Sequence, residues 1–256
     1  MRHLWVWGAG ELGGRVARTW NENGGPVTPL TKSDSRHDTL RADGLVPRQG
    51  MPNKMDERDV LLISIAGTAA LDKAVEQLSE QPPPARVVIT SSTGYYGEQG
   101  GLISATTPPG TTERALEVAA METRFKEWAG ERGVVIRLGG LYRQGRGPLN
   151  VMKKRGNAPI GAKADRVIPL LHYDDAASAC VAALRVENPR SEYLVVSPPC
   201  PTRHEFYLAA SVILQLPLPS FGDPSGLPRA EYDVGDTVRD LGYDPQHPKW
   251  QKALIP

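Results

Sequence analysis

The sequence lacks the features that define several large classes of protein. Its 256 residues include only two cysteines, Cys180 and Cys200, too few for a disulfide framework and without a C-x-x-C pair. We therefore expect a reducing compartment and predict no metal site. The apolar run ahead of Gly8 is too short for a signal sequence or a membrane span. The prediction is a cytoplasmic protein with no membrane partner.

An excess of charge of either sign is also missing. The chain carries 30 Lys and Arg residues against 29 Asp and Glu residues, so it has no overall field that would attract nucleic acid or anionic lipid. We expect a small-molecule substrate and no nucleic-acid partner, and the sequence makes no prediction of oligomeric state. The length fits one large domain with an appended lobe.

Glycine is placed in a pattern with a chemical meaning near the start of the chain. Residues 8 to 13 read Gly-Ala-Gly-Glu-Leu-Gly, between the apolar run Leu4 to Trp7 and an amphipathic stretch from Glu11 to Asn23. A G-x-G-x-x-G loop between a strand and a helix is typical of pyrophosphate binding by backbone amides at a helix start. The alternative is a strand-helix turn built of small residues. The motif predicts five cofactor-binding residues, Gly8, Gly10, Glu11, Leu12 and Gly13.

Short apolar runs alternate with helical patterns along the chain, which is typical of a parallel sheet covered on both faces. The predicted strands are His3 to Trp7, Pro26 to Leu30, Val60 to Ile65, Arg86 to Ser91, Val134 to Leu138 and Tyr193 to Val196, with a weak strand at Leu45 to Val46. The predicted helices are Glu11 to Asn23, His37 to Asp43, Ala69 to Glu80, Thr112 to Arg132, Asp174 to Leu184 and Arg203 to Leu214.

This order predicts an α/β fold with a doubly wound parallel sheet of the Rossmann type and a small C-terminal substrate lobe. Residues 1–140 form the predicted dinucleotide-binding domain. Residues 141–256 are expected to supply the last elements of the sheet and the substrate-binding lobe, within one continuous structural unit.

The residues after the second strand bear on the choice of dinucleotide. NAD is usually selected by an acidic residue about twenty residues beyond the glycines, whereas the 2′-phosphate of NADP needs cationic or hydroxyl donors. In this chain Thr31, Lys32 and Ser33 follow the strand, and Arg36 lies close by. These residues favour NADP, while Asp34 leaves NAD open.

Residues 90–97, Thr-Ser-Ser-Thr-Gly-Tyr-Tyr-Gly, end a predicted buried strand at the edge of the sheet where ligands bind. With the glycine motif they make the chain resemble the extended short-chain dehydrogenases/reductases of the NAD-dependent epimerase/dehydratase family. The pattern S-S-x-x-V-Y-G is matched except that Tyr95 stands where valine is usual. Further matches are residues 137–147 around Arg-Leu-Gly-Gly-Leu-Tyr, residues 171–176 around His-Tyr-Asp-Asp, residues 193–196 and 202–207, and the closing Leu241-Gly242-Tyr243.

The resemblance fails at the reaction centre. The family uses a serine, matched by Ser92, with a Tyr-x-x-x-Lys pair that exchanges a proton with the substrate. No tyrosine of this chain is followed by lysine four positions later. Counting back from Glu122, which resembles the family's glutamate on the next helix, places Arg114 at the tyrosine position and Val118 at the lysine position.

Three interpretations remain open. Catalysis uses another group, with Tyr95 or Tyr96 as acid and Arg114 polarising a carbonyl or holding an anionic substrate. Alternatively the chain is a non-catalytic NADP-sensing or binding protein, or it uses the dinucleotide as a structural part of an interaction surface. The resemblance implies an oxidoreductase or epimerase acting on a small hydroxylated or nucleotide-sugar-like substrate, without identifying it or the direction of reaction.

The resemblance also implies further site residues. Those expected to contact the cofactor are Ile65, Ala66, Ser91, Gly139, Gly140 and Leu141, and those expected to contact substrate are Tyr142, Arg143, Arg146 and His172. For His172 a hydrogen bond at the start of the following helix, beside Asp174, is the alternative to substrate contact.

Overall fold

The computed structural model describes residues 1–155 and 158–254. Its strands are β1 (Leu4–Trp7), β2 (Val27–Thr31), β3 (Arg48–Gln49), β4 (Val60–Ile63), β5 (Arg86–Ser92), β6 (Gly101–Ile103), β7 (Gly133–Leu138), β8 (Gly140–Tyr142), β9 (Ile160–Lys163), β10 (Leu170–His172), β11 (Glu192–Val195), β12 (Phe221–Gly222) and β13 (Ala230–Tyr232). Its α-helices are α1 (Glu11–Glu22), α2 (His37–Ala42), α3 (Thr68–Leu78), α4 (Glu113–Ala129), α5 (Pro148–Arg155), α6 (Tyr173–Arg185), α7 (Arg203–Leu214) and α8 (Gly235–Leu241). Short 3-10 helices occupy Thr93–Tyr96, Gly130–Arg132 and Trp250–Leu254.

The centre of the molecule is a seven-stranded sheet in the order β11-β7-β5-β4-β1-β2-β3, with every pair parallel. Helices α1 and α6 pack together on one face, and α3 and α4 pack together on the other. This arrangement confirms the predicted doubly wound α/β fold. The chain winds outward in opposite directions from β1 and β4, and the crevice at such a reversal is where open parallel sheets bind ligands.

The central strands form where the sequence predicts them, to within two residues, because each is a short run of apolar residues that is buried on both faces of the sheet. The weak strand predicted at Leu45 to Val46 is wrong, since the edge strand β3 begins at Arg48. Gly44 ends α2 with φ 75°, and the Leu45 amide donates to the Leu40 carbonyl. Leu45 therefore completes a helix C-cap and packs into the core.

The second half of the chain adds β11 to the edge of the sheet and then builds outside it. Strand β8 pairs with β10, β9 with β12, and β6 with β13, and each pair is parallel. Helices α5 and α7 and the last 3-10 helix enclose a separate apolar cluster around Tyr142 and Phe206. The domain boundary at residue 140 stays a prediction.

One ion pair lies fully inside the molecule. Arg137 of β7 donates to the Glu122 carboxylate of α4 at 2.7 Å, and the two side chains are 1% and 2% exposed. The Ser91 hydroxyl donates to the same carboxylate at 2.6 Å, and Arg137 also donates to the Tyr96 hydroxyl and the Ala105 carbonyl. Because every charge is hydrogen-bonded, the pair is satisfied without water.

We predict that removing one partner of this pair destabilises the protein strongly. Glu122→Ala leaves the Arg137 guanidinium buried without a counter-ion, so the free energy of unfolding should fall by about 3 to 5 kcal/mol. Chemical denaturation measures the change. The matched control is Glu127→Ala on the exposed face of the same helix, expected to change the free energy by roughly 0.5 kcal/mol or less. Equal losses in the two variants would contradict the role assigned to the pair.

Candidate functional site

A cavity of about 990 Å³ runs along the carboxyl ends of the central strands. Its wall includes the glycine loop after β1, the segments that follow β2 and β4, the end of β5, and one face of α4. The cavity therefore crosses the point where the winding of the sheet reverses. Both predicted parts of the site, the glycine motif and the Ser-Ser segment, open into it.

The three motif glycines differ in the space that surrounds them. A Cβ on Gly8 would lie 2.4 Å from the Ser64 carbonyl oxygen, and Gly8 also has φ +94°, which L side chains rarely adopt. A Cβ on Gly13 would lie 2.3 Å from the Gly8 carbonyl oxygen. The nearest atom to a Cβ on Gly10 is that same oxygen at 3.9 Å. Gly8 and Gly13 are thus required by packing, whereas the space beside Gly10 belongs to the cavity.

No side chain caps the start of α1. Gly10 is the N-cap residue and has no side chain to accept from the first backbone amides. Gly10, Glu11 and Leu12 all line the cavity. An anion in the cavity would therefore meet amide donors of this first turn and the positive end of its dipole.

The residues after β2 form a cationic end of the cavity. Lys32, Ser33 and Arg36 line it together. Arg36 donates to the Glu11 carboxylate at 3.2 Å through one terminal nitrogen, while its Nε is buried and has no hydrogen-bond partner in the described part of the chain. A buried donor without a partner is costly, so this wall is short of an acceptor.

Glu11 is the counter-ion for several arginines. Its carboxylate lies 2.8 Å from Arg15, 2.9 Å from Arg143, 3.2 Å from Arg36 and 3.9 Å from Arg146. Burial opposes its ionisation, but the hydrogen bond from Arg143 and the charges of the arginines outweigh burial and hold the pKa of Glu11 below its ordinary value. Glu11 therefore remains an anion that connects the glycine loop to the segment after β8.

The opposite end of the cavity is lined by Ser91, Ser92 and Arg114 beside the apolar side chains of Val118 and Met121. The Ser92 hydroxyl accepts from the Gly94 amide at 3.2 Å, and no acceptor for its own hydrogen is found in the described part of the chain. The Ser92 Oγ and the Arg114 Nε both lie within 3.0 Å of the position that a Cβ on Gly94 would take. The hydroxyl and the guanidinium are therefore neighbours.

The two tyrosines next to Ser92 point away from the cavity. Tyr96 is 1% exposed, and burial raises its pKa to about 12 against the lowering effect of Arg137. The Tyr95 ring lies under the Arg137 guanidinium, with 3.5 Å between the ring centroid and the central carbon, and burial also raises the pKa of Tyr95. Neither ring lines the cavity, so the geometry gives neither phenol direct access to a ligand there.

The predicted substrate residues of the second half are divided between the cavity and the interior. Arg146 lines the cavity, whereas Arg143 lies on the far side of Glu11. Tyr142 is buried and donates to the His247 carbonyl at 3.2 Å. His172 accepts from the Asp174 amide at 3.2 Å and so caps α6, which is the alternative that the sequence left open.

A second cluster, formed by His172, Asp174 and His247, brings two imidazoles and a carboxylate within 4.8 Å of one another. These are ligand types that suit a transition metal. However, the Asp174 carboxylate already pairs with Arg15 at 2.8 Å, and Lys252 lies 3.5 Å from His247. Two cations therefore border the cluster, and its contacts join α6 to the C-terminal segment.

Many predicted site residues meet at the cavity. Those that line it are Gly8, Gly10, Glu11, Leu12, Thr31, Lys32, Ser33, Arg36, Ile65, Ala66, Ser91, Ser92, Arg114, Gly139, Leu141 and Arg146. Those that do not are Gly13, Gly140, Tyr95, Tyr96, Tyr142, Arg143 and His172.

Other lining residues were missed by sequence reasoning. They include Gly50 and Met51 after β3, Ser64 and Gly67 after β4, and Tyr173 at the start of α6. The signal that could have found them was position, because residues just beyond parallel strands share one edge of the sheet. Gly50 and Met51 had no such signal, since the strand before them was predicted at Leu45 to Val46 and lies at Arg48–Gln49.

No protein-family model matches this chain, and no curated protein matches it in sequence. Solved structures do match. A functionally unknown conserved protein from Silicibacter pomeroyi is 22% identical, with a TM-score of 0.79 over 100% of this chain and 97% of that one. Human epimerase family protein SDR39U1, solved with NADPH, is 17% identical, with a TM-score of 0.69 over 100% and 98%.

UDP-glucose 4-epimerase from Thermotoga maritima, solved with UDP-glucose, is 16% identical, with a TM-score of 0.72 over 100% of this chain and 96% of that one. At these identities the likeness establishes the fold, a Rossmann-type α/β architecture shared over the whole length of each chain. Among the helices of the described residues, none combines the length and the apolar character needed to cross a membrane.

The different surroundings of the motif glycines predict different effects on stability. Gly13→Ala forces a methyl group against the Gly8 carbonyl and should lower the free energy of unfolding by about 1 to 3 kcal/mol. Gly10→Ala places its methyl group in the open cavity and should cost less than about 1 kcal/mol, the scale of an N-cap exchange. Thermal or urea unfolding of the two variants measures both changes. A larger loss of stability in Gly10→Ala than in Gly13→Ala would contradict the surroundings described for these two glycines.

Proposed function

We propose that this protein is an NADP(H)-dependent oxidoreductase of the extended short-chain dehydrogenase/reductase type. One observation carries the proposal: a single cavity joins the Gly10 loop, the cationic segment at Lys32 and Arg36, and the Ser92 and Arg114 pair. These three parts match the pyrophosphate, the 2′-phosphate and the reacting end of a dinucleotide. The structural neighbours solved with NADPH or with UDP-glucose support the same type.

The residues present fit such a cofactor. Beside Gly10 there is room that any side chain would fill, next to a helix start without a side-chain cap. The glycine loop would hold the pyrophosphate through backbone amides, as the sequence pattern predicts. The loops after β4 and β7, which include Ile65, Ala66, Gly139 and Leu141, would enclose the remainder.

The preference for NADP over NAD rests on the end of β2. Lys32 and Arg36 are cations, Ser33 is a hydroxyl donor, and the Arg36 Nε still lacks an acceptor. A 2′-phosphate would add counter-charge beside Lys32 and Arg36, whereas a ribose hydroxyl would add none. Glu11 holds Arg36 from the other side, which keeps the guanidinium at the cavity wall.

The bound cofactor would supply the hydride, and the chain's own residues would prepare the substrate. The Ser92 hydroxyl accepts from the Gly94 amide and has no acceptor for its own hydrogen among the described residues, so it can donate to the oxygen of a substrate carbonyl. The Val118, Met121 and Leu138 side chains form an apolar part of the cavity wall, and apolar surroundings strengthen these polar contacts. Because Val118 stands at the position of the family's lysine, proton transfer through a tyrosine and a lysine is replaced by electrostatic stabilisation of the substrate oxygen.

We predict tighter binding of NADPH than of NADH, by about ten-fold or more, the scale of one charge-assisted hydrogen bond. The change that tests it is Lys32→Ala combined with Arg36→Ala, which should reduce the preference to roughly two-fold. Fluorescence titration of both dinucleotides measures it. Lys73→Ala, an exposed cation on α3 outside the cavity, is the control and should leave both affinities unchanged. Equal affinities in the unmodified protein would end the NADP assignment.

A second prediction concerns turnover in a screen of carbonyl and sugar substrates with NADPH. Ser92→Ala removes a donor to the reacting oxygen and should lower kcat/KM by about 100-fold to 1,000-fold. Tyr95→Phe and Tyr96→Phe change phenols that face away from the cavity, so we expect losses of roughly three-fold or less if the fold is kept.

The screen also separates the catalytic from the non-catalytic interpretation. A large loss in either tyrosine variant, with full activity in Ser92→Ala, would reverse the roles assigned to these side chains. Tight NADPH binding without turnover of any substrate would favour a dinucleotide-binding protein that does no chemistry.

A further inference from the structure

We infer that Arg114 binds an oxyanion of the substrate, so that the substrate is a small carbonyl or hydroxyl compound carrying a carboxylate or a phosphate close to its reacting carbon. This inference rests on the proposed function, because it concerns the same cavity. It goes further by naming the chemical class of the substrate. Charge balance, packing and the Ser92 geometry support it separately.

The cavity carries more cations than acids, and one of the cations lies apart from the others. Among the described residues that line it, the cations are Lys32, Arg36, Arg114 and Arg146, and Glu11 is the one acid. Glu11 contacts Arg36 and Arg146, and Lys32 lies at the end of β2 where the 2′-phosphate is proposed. Arg114 lies at the opposite end, on α4. It is therefore the cation that lies away from the proposed phosphate sites and beside Ser92.

Arg114 also lacks a partner within the protein. In residues 1–155 and 158–254, no hydrogen bond or ion pair to its guanidinium is found. Glu117 stands one helical turn further along α4, at a spacing that commonly gives an ion pair, and makes none with Arg114. Instead Arg114 reaches over the 3-10 helix at Thr93–Tyr96, where its Nε approaches Gly94.

The position of Arg114 is fixed by its helix. Thr112 caps α4, with its hydroxyl accepting from the Ala115 amide at 3.2 Å, so the first turn is well defined. On the next turn of the same face, Val118 lines the cavity and is buried. The Arg114 side chain is exposed and lines the cavity, so an anion that enters the cavity can reach its guanidinium.

The chemistry of the pair identifies the ligand class. A guanidinium offers parallel donors that match two oxygens of one carboxylate or phosphate. The adjacent Ser92 hydroxyl has one free hydrogen, suited to the single oxygen of a carbonyl or alcohol. A ligand that satisfies both groups carries its oxyanion a few atoms from the reacting oxygen, as 2-oxo acids and phosphorylated short-chain carbonyl compounds do.

The test is calorimetric binding of two probes, oxamate for carboxylates and inorganic phosphate for phosphates, with lactamide as a neutral control. Each is titrated into the protein alone and into the protein saturated with NADP⁺, which occupies the phosphate-binding end. We expect an oxyanion to bind while lactamide does not, and Arg114→Ala to weaken the oxyanion by about ten-fold or more, the scale of one charge-assisted contact. Arg114→Lys keeps the charge without the paired donors and should give an intermediate affinity.

The matched control is Arg124→Ala. Arg124 lies on the same helix but pairs with Asp72 outside the cavity, so its loss should leave oxyanion affinity unchanged. Because Arg114 is exposed and has no hydrogen bond or ion pair among the described residues, its variants should unfold at the temperature of the unmodified protein. Preference for oxamate or for phosphate then identifies which oxyanion the site takes.

Three results would overturn the inference. The first is no oxyanion binding in the unmodified protein, the second is equal binding in Arg114→Ala, and the third is binding that Lys32→Ala weakens instead. Failure of the proposed function looks different. In that case NADP⁺ and NADPH do not bind, while the oxyanion titration of the protein alone still reports on Arg114.

Discussion

The buried pair between Arg137 and Glu122 is the contact on which the candidate site depends. Arg137 extends from the strand next to β5, and Glu122 reaches it from α4, so the pair fixes the helix against the sheet. Through Ser91 and Tyr96 the same network holds the end of β5 and the turn that follows it. Ser92 is the last residue of β5, and Arg114 lies in the first turn of α4. Their proximity is therefore set by a charge pair that lies outside the cavity and never meets a ligand.

Glu11 performs a comparable task at the other end of the site. Its carboxylate draws together Arg36 from the segment after β2 and Arg143 from the segment after β8. A phosphate group bound at the glycine loop would lie in the cavity that Arg36 and Arg146 line, and the combined charge of the arginines around Glu11 exceeds what one carboxylate neutralises. Glu11 thus holds the guanidinium groups near the start of α1, and some of their N–H donors stay available for a ligand.

Much of this site could be predicted from the sequence because its signals are local. The glycine motif, the apolar strand runs and the Ser-Ser segment each depend on neighbours within a few residues, and the structure places them at one cavity. The predicted roles of Tyr142 and His172 depended on resemblance alone, and both side chains instead bond to backbone groups near the C-terminal segment and α6. The contact between Tyr142 and His247 joins residues that are far apart in sequence, so no local sequence pattern predicts it.

Two residues on one face of α4 bear on what the cavity can do. Arg114 and Val118 both line it, and the sequence resemblance predicts them at the positions of the family's tyrosine and lysine. A phenol and an ammonium there would form a proton relay. A guanidinium, which stays protonated at any ordinary pH, cannot give up its proton to a substrate and acts through charge and donor geometry. If the proposed function holds, the proton that completes a carbonyl reduction comes from the Ser92 hydroxyl or from water. This face of the helix is therefore better suited to holding an anion than to moving a proton.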